Sequence, residues 1–226
     1  MKRLVTLLVA ALFSYSAMAG NVVEYTVGGE KFVGYSAKAY DGKSKGLVLV
    51  IHDWDGLTKY EEQRVEMLAG MGYDAFAVDL YGKGNRPVET KAKKAETGKL
   101  YKNRERMRSL ILGGLQQARK LNSGKANDIA GYASFHGGLK TPKGQSYAKN
   151  TPPILIAHGG ADRAIKISQV ADLSTQLEAA KVPYEIQVYS GAPHAFTVFG
   201  SKRYRETADK QSWGAFSDFL SKNLGG

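Results

Sequence analysis

No cysteine occurs among the 226 residues, which excludes disulfides, thiolate zinc sites, a cysteine nucleophile and lipidation of an amino-terminal cysteine. Long apolar runs are scarce as well. The main one, Leu4 to Phe13, falls well short of the roughly 20 residues that cross a bilayer, so no membrane span is expected. Internal repeats and Pro/Gly-rich linkers are missing, which argues for one domain of a size that a single core serves. Histidine is scarce too. His52, His136, His158 and His194 lack the i, i+4 or carboxylate-linked spacing of a metal site, so no metal is expected.

What is present describes a globular chain, with 43% hydrophobic and 23% charged residues, far from the composition of a disordered one. At the start, Lys2 and Arg3 precede the apolar run and Ala17-Met18-Ala19 supplies small residues for cleavage. That pattern is a secretory signal peptide over residues 1–19, followed by a single domain over 20–226. The expected location is outside the cytoplasm, periplasmic or secreted, with the mature chain starting at Gly20 and two positive charges lighter.

The net charge of +11 is concentrated: twelve basic residues and three acidic ones lie between Lys83 and Lys120. Interleaved aromatics, which a nucleic-acid platform needs, are absent there apart from Tyr101, and an exported protein rarely meets nucleic acid. A solvated helix face is therefore expected, with contact to an anionic surface through residues 83–120 as the functional alternative.

Two β-rich runs, Val22 to Val27 and Lys31 to Ala39, flank Gly28-Gly29-Glu30 as a hairpin. The continuous apolar run Leu47 to Ile51 predicts a strand buried on both faces. Thr58 and Glu61 form a capping box for a helix that Gly72 stops. Further strands are expected at Tyr73 to Leu80, Ile129 to Phe135, Pro153 to Ala157 and Tyr184 to Tyr189. One helix is expected through Leu100, Met107, Leu110, Leu115 and Leu121, and others from about Ser168 to Ala180 and Glu206 to Leu220. Alternation of this kind predicts an α/β fold, a mostly parallel sheet with helices on both faces, preceded by the hairpin.

Ligands of such sheets bind beyond the carboxyl ends of the strands. Located there are His52, Asp53, Trp54, Asp79, His136, His158, Asp162 and His194. Asp162 follows one strand and His194 the next, which is the acid-then-base order of an α/β-hydrolase triad. In a triad the acid holds the imidazole tautomer and the imidazole takes the nucleophile's proton. His158 reads as a structural residue of its loop.

Five segments carry a resemblance: VLVIHDWDG at 48–56, GYDAFAVDLYG at 72–82, SFHGGL at 134–139, HGGAD at 158–162 and APHAF at 192–196. In this order they resemble the dienelactone hydrolase family of α/β-hydrolases. The resemblance implies hydrolysis of lactones and small esters without a cofactor. It further implies Asp162 and His194 as triad acid and base, the Trp54 amide as part of the oxyanion hole, and Asp53 where the family usually has a glutamate. Asp55 stands where the family often has an aromatic, so the pocket wall is altered. His136 belongs to the same pocket.

The family's nucleophile, a cysteine or serine in a Gly-x-Cys/Ser-x-Gly elbow, has no counterpart. Gly42-Lys43-Ser44-Lys45-Gly46 precedes a strand, whereas an elbow joins a strand to a helix and offers an amide to the oxyanion. Gly34-Tyr35-Ser36 falls inside the hairpin. Only Asn122 to Ala130 separates the basic helix from the next strand, although a strand, a helix and their connections need about 25 residues. Ala130-Gly131-Tyr132 reads as the scar of one lost central βα unit, by natural deletion or by an error in the gene model. The strand that follows must then slide into the vacant place or leave a gap beside Leu47 to Ile51. Ser134, with Gly137 and Gly138 after it, is the surviving nucleophile candidate.

Two functions remain open. One is a hydrolase of carboxylic esters or lactones, using an acid, a histidine and a nucleophile on a small-molecule substrate. The other is a non-catalytic exported binding protein that keeps the hydrolase pocket and a basic surface.

Overall fold

Gly28 (φ 57°) and Gly29 (φ 83°) occupy the left-handed region and reverse the chain between β1 (Asn21–Val27) and β2 (Glu30–Ala37). In the computed structural model, residues 20–122 and 128–224 are described. The expected signal segment, 1–19, and part of the Asn122 to Ala130 connection lie outside the described residues. Next come β3 (Leu47–Ile51), α1 (Lys59–Gly70), β4 (Asp74–Val78), α2 (Thr90–Lys102) and α3 (Arg104–Leu121). The second half holds β5 (Tyr132–Phe135), β6 (Ile154–Gly159), α4 (Ile167–Ala180), β7 (Tyr184–Tyr189) and α5 (Glu206–Leu224).

The strands form two sheets. The first has the order β1-β2-β4-β3, with β2 antiparallel to β1 and β4, and β3 parallel to β4. The second has the order β5-β6-β7 and is parallel throughout. Helices cover both faces, as alternating strands and helices require. On one face α1 and α5 pack with Val48 and Val50 of β3, Phe135 of β5 and Leu155 of β6, so one apolar cluster spans both sheets. On the other face α3 covers Leu47, Leu49, Phe76 and Val78, while α4 covers Ile154 and Ile156.

No strand lies between β3 and β5 among the described residues. Of the two outcomes expected there, the structure takes the gap. The expected double burial of Leu47 to Ile51 is accordingly incomplete: with β4 as its only strand neighbour among the described residues, β3 ends its sheet and Ile51 is half exposed. Pairing of Tyr132 with Ile154 starts β5 three residues later than expected.

The single basic helix is also corrected to two. At Asn103 (φ −124°, ψ 80°) the backbone leaves the helical region, and the Asn103 side chain accepts the Arg106 amide at 2.9 Å to cap α3. The capping box of α1 forms as expected, with Glu61 Oε2 accepting the Thr58 amide at 2.7 Å.

Candidate active site

The carboxyl ends of β6 and β7 carry two loops that are sewn together by backbone hydrogen bonds. The Gly160 amide donates to the Tyr189 carbonyl at 2.7 Å and the Ala161 amide to the Ala192 carbonyl at 3.0 Å. Gly159 permits this approach, because a Cβ there would collide with the Ala192 carbonyl oxygen. The loops deliver an acid and a base to each other: His194 Nδ1 lies 2.9 Å from Asp162 Oδ2. Donation from Nδ1–H leaves Nε2 as the basic nitrogen.

Asp162 is oriented independently of His194, since Oδ1 accepts the amides of Ala164 at 2.8 Å and Ile165 at 2.9 Å. Burial pushes its carboxyl up, but the Ile165 amide, His194 and the Ala164 amide together outweigh burial and hold it below the usual carboxylate range. The acid side chain is fully covered and the imidazole is 29% exposed, so the base can reach a substrate while its partner stays dry.

His136, directly after β5, packs edge-on against His194 with ring centroids 5.4 Å apart. Its φ of 45° places a non-glycine residue in the left-handed region, and its amide donates to the Ala157 carbonyl at 2.9 Å. Burial and then the neighbouring His194 push the His136 imidazole down to about 4, so it is neutral at physiological pH. His136 Nε2 meets Thr197 Oγ1 at 3.0 Å, and Thr197 Oγ1 meets the Tyr60 hydroxyl at 2.6 Å. A chain of polar contacts thus runs from beside the base to α1.

Across the site, His52 ties the ends of β3 and β4 together: Nδ1–H donates to the Asp53 carbonyl at 2.6 Å and Nε2 accepts the Leu80 amide at 3.1 Å. Asp53 is held above the usual carboxylate range by burial and by the Asp55 charge, with His194 pulling the other way. The Trp54 amide, expected in an oxyanion hole, donates to Asp53 Oδ1 at 3.3 Å. A developing oxyanion would compete with that carboxylate for the same hydrogen.

Ser134 alternates with Phe135 onto the opposite face of β5. It lines a cavity of about 280 Å³ with Leu139, Tyr147, Ile154, Ile156 and Leu173, and neither Asp162 nor His194 borders that cavity. His158 is buried in β6, paired with Val188, and burial lowers its imidazole. Asp79 lies within the fold, where Oδ1 accepts the Tyr81 and Gly82 amides and receives Arg86.

The basic segment reaches the rim of the site through Lys93. Lys93 Nζ lies 5.6 Å over the Trp54 ring and 3.4 Å from Asp55 Oδ2. No local motif marks Lys93 among its basic neighbours. Thr197 follows the APHAF segment directly and could have been suspected from that position. Tyr60 and Arg64 lie on α1 and carry no sequence signal.

A family model described as the dienelactone hydrolase family matches residues 32–123 and 113–224. The two stretches meet in the last turns of α3, earlier in the chain than Ala130. A search of curated proteins returns no match. Among solved structures, the chain is similar to a dienelactone hydrolase-like promiscuous phosphotriesterase from metagenomic libraries, with 20% identity and a TM-score of 0.79 over 90% of this chain and 98% of that one. It is also similar to a thermophilic esterase from the Planctomycetes species Thermogutta terrifontis with propionate bound, at 16% identity and TM-score 0.59, over 92% and 96% of the two chains. An acylaminoacyl peptidase from Pyrococcus horikoshii matches at 15% identity and TM-score 0.67, over 91% of this chain and 42% of the other. At these identities the likeness concerns the fold.

Proposed function

The chain belongs to the dienelactone hydrolase family, and on that premise we propose that it hydrolyses carboxylic esters or lactones through the Asp162–His194 pair acting directly on water. The observation that carries this reading is the 2.9 Å contact between His194 and a buried, amide-braced Asp162. His194 Nε2 takes a proton from a water molecule as that water attacks the ester carbonyl. The imidazolium, stabilised by Asp162, then returns the proton to the leaving alkoxide. No acyl-enzyme forms, because Ser134 opens into the cavity beside α4 and the chain has no cysteine.

General-base catalysis of this kind contributes about 10²–10⁴-fold, so activated esters are the suitable substrates. Turnover of an aryl ester should fall to background in His194→Ala and persist in Ser134→Ala, with no pre-steady-state burst and no labelling by a fluorophosphonate. Labelling that Ser134→Ala abolishes would instead make Ser134 the nucleophile. If wild type and His194→Ala are equally inactive while anions bind in a salt-sensitive way, the chain is a binding protein.

A further inference from the structure

The strongest unassigned feature lies at the start of β1. The Gly20 nitrogen is 3.1 Å from Glu66 Oε1. The same oxygen accepts the Tyr35 hydroxyl, and the Tyr40 hydroxyl donates to the other oxygen. Glu66 sits on α1 with only 9% of its surface exposed, and among the described residues no cationic side chain pairs with it. A covered carboxylate without a cation is costly. The approach is close, since a Cβ at position 20 would fall 2.5 Å from the Tyr35 ring and 2.6 Å from Glu66 Oε1 and so push these side chains aside. Independently, Ala17 and Ala19 stand three residues and one residue before the Ala19–Gly20 bond, the small-residue pattern of a cleavage site.

We propose that Gly20 becomes the mature amino terminus and that its α-ammonium group docks on Glu66, Tyr35 and Tyr40, supplying the cation this carboxylate lacks. An endopeptidase that accepts small residues hydrolyses the Ala19–Gly20 bond with water. The water oxygen bonds to the Ala19 carbonyl carbon, the C–N bond breaks, and the Gly20 nitrogen takes a proton to leave as an amine, which protonates again from solvent. Before cleavage the nitrogen offers one uncharged N–H. Afterwards it offers three N–H donors and a positive charge, and charge-assisted hydrogen bonds are roughly twice as strong as neutral ones. Processing therefore tightens the link between β1 and α1, and the precursor is the softer form.

The test begins with the exported protein, whose amino terminus should read Gly-Asn-Val by mass spectrometry; a different terminus overturns the proposal. Next, thermal unfolding compares the chain starting at Gly20 with the same chain acetylated at Gly20. The free form should melt about 3–6 °C higher at pH 6, and Glu66→Gln should abolish the difference. The groups at the ammonium and its carboxylate are Glu66 of α1, Tyr35 of β2 and Tyr40 after it, with Glu62 of α1, ion-paired to Lys59, acting on Tyr35 from further away. Burial pushes both phenols up, Tyr40 to about 12, so neither ionises below pH 10. An α-amine normally titrates at about 7.7–8.0 and is raised by its carboxylate partner, so its contribution is lost as pH rises through the folded value. Should Glu66→Gln fail to fold, the difference between free and acetylated chains must still vanish by pH 10. Equal melting at pH 6, or a difference that ignores pH, overturns the proposal.

Discussion

His136 and Glu61 titrate against each other across nearly the same pH window. His136 is lowered to about 4 by burial and by His194, from an ordinary value near 6.5. An unfolded chain therefore binds its proton first on acidification. The stability His136 contributes is present above about pH 6.5 and is lost as pH falls to about 4, worth about 3 kcal/mol at most. His52 and His158 shift in the same direction. Glu61 is raised to about 7, chiefly by burial, with the Thr58 amide pulling it down. Its contribution is present below about pH 4.5 and is lost as pH rises towards 7, with Asp53 shifted the same way. Between pH 4.5 and 6.5 the contributions of His136 and Glu61 therefore oppose each other. Glu61→Gln should expose a steep acid loss, and His136→Gln a stability that climbs as pH falls. Parallel profiles of the two variants in denaturant titrations would remove this account. At this scale much was legible: the chain order of Asp162 and His194 pointed to their meeting, and the loops bring them to 2.9 Å. The occupation of the Trp54 amide by Asp53 was not legible, because it depends on a side-chain rotation that no pattern encodes.

Among the elements, α1 holds the base-bearing loop to α5 through one residue. Arg64 is 4% exposed and ion-pairs with Asp209 of α5, while its Nη2 donates to the Thr197 carbonyl at 2.9 Å. Its guanidinium also lies 4.2 Å from the Phe199 ring centroid and 4.5 Å from that of Trp213. Removing one partner of such a buried pair strands the other charge, which costs about 3–5 kcal/mol. Arg64→Ala should therefore lower the melting temperature by about 10 °C, and Arg64→Met with Asp209→Leu should recover most of it. A single-variant loss under about 1 kcal/mol would show that the pair carries little. Pattern reading anticipated most elements because each has the period of its kind. It fused α2 and α3 because apolar spacing continues across Asn103, and only the backbone there reveals the cap. Arg64 escaped notice because its aromatic box is assembled from α1, α5 and the loop between β7 and α5.

For the whole molecule, the break between the two sheets leaves β3 and β5 each with one side unpaired among the described residues. Parallel pairing of β3 and of β5 with their own neighbours was expected, as were two alternatives for the vacant place, and which of them follows depends on packing. The side chains of Val48, Val50, Phe135 and Leu155 already share the cluster under α5, which holds both sheets in place without a strand between them. Sliding β5 across would strip it from β6, to which four residues pair in register. In a parallel ladder, alternate residues direct their N–H groups to opposite sides. Alternate amides of β3 and of β5 should thus exchange with solvent quickly, while β4, flanked by β2 and β3 and wholly buried, exchanges slowly. Hydrogen exchange read residue by residue checks this, and uniform protection along Leu47–Ile51 would mean that something occupies the edge. Exposed edges also recruit other strands. Association should accordingly rise with concentration, and a charged substitution at the half-exposed Ile51, such as Ile51→Lys, should suppress it in sedimentation without altering β4 protection.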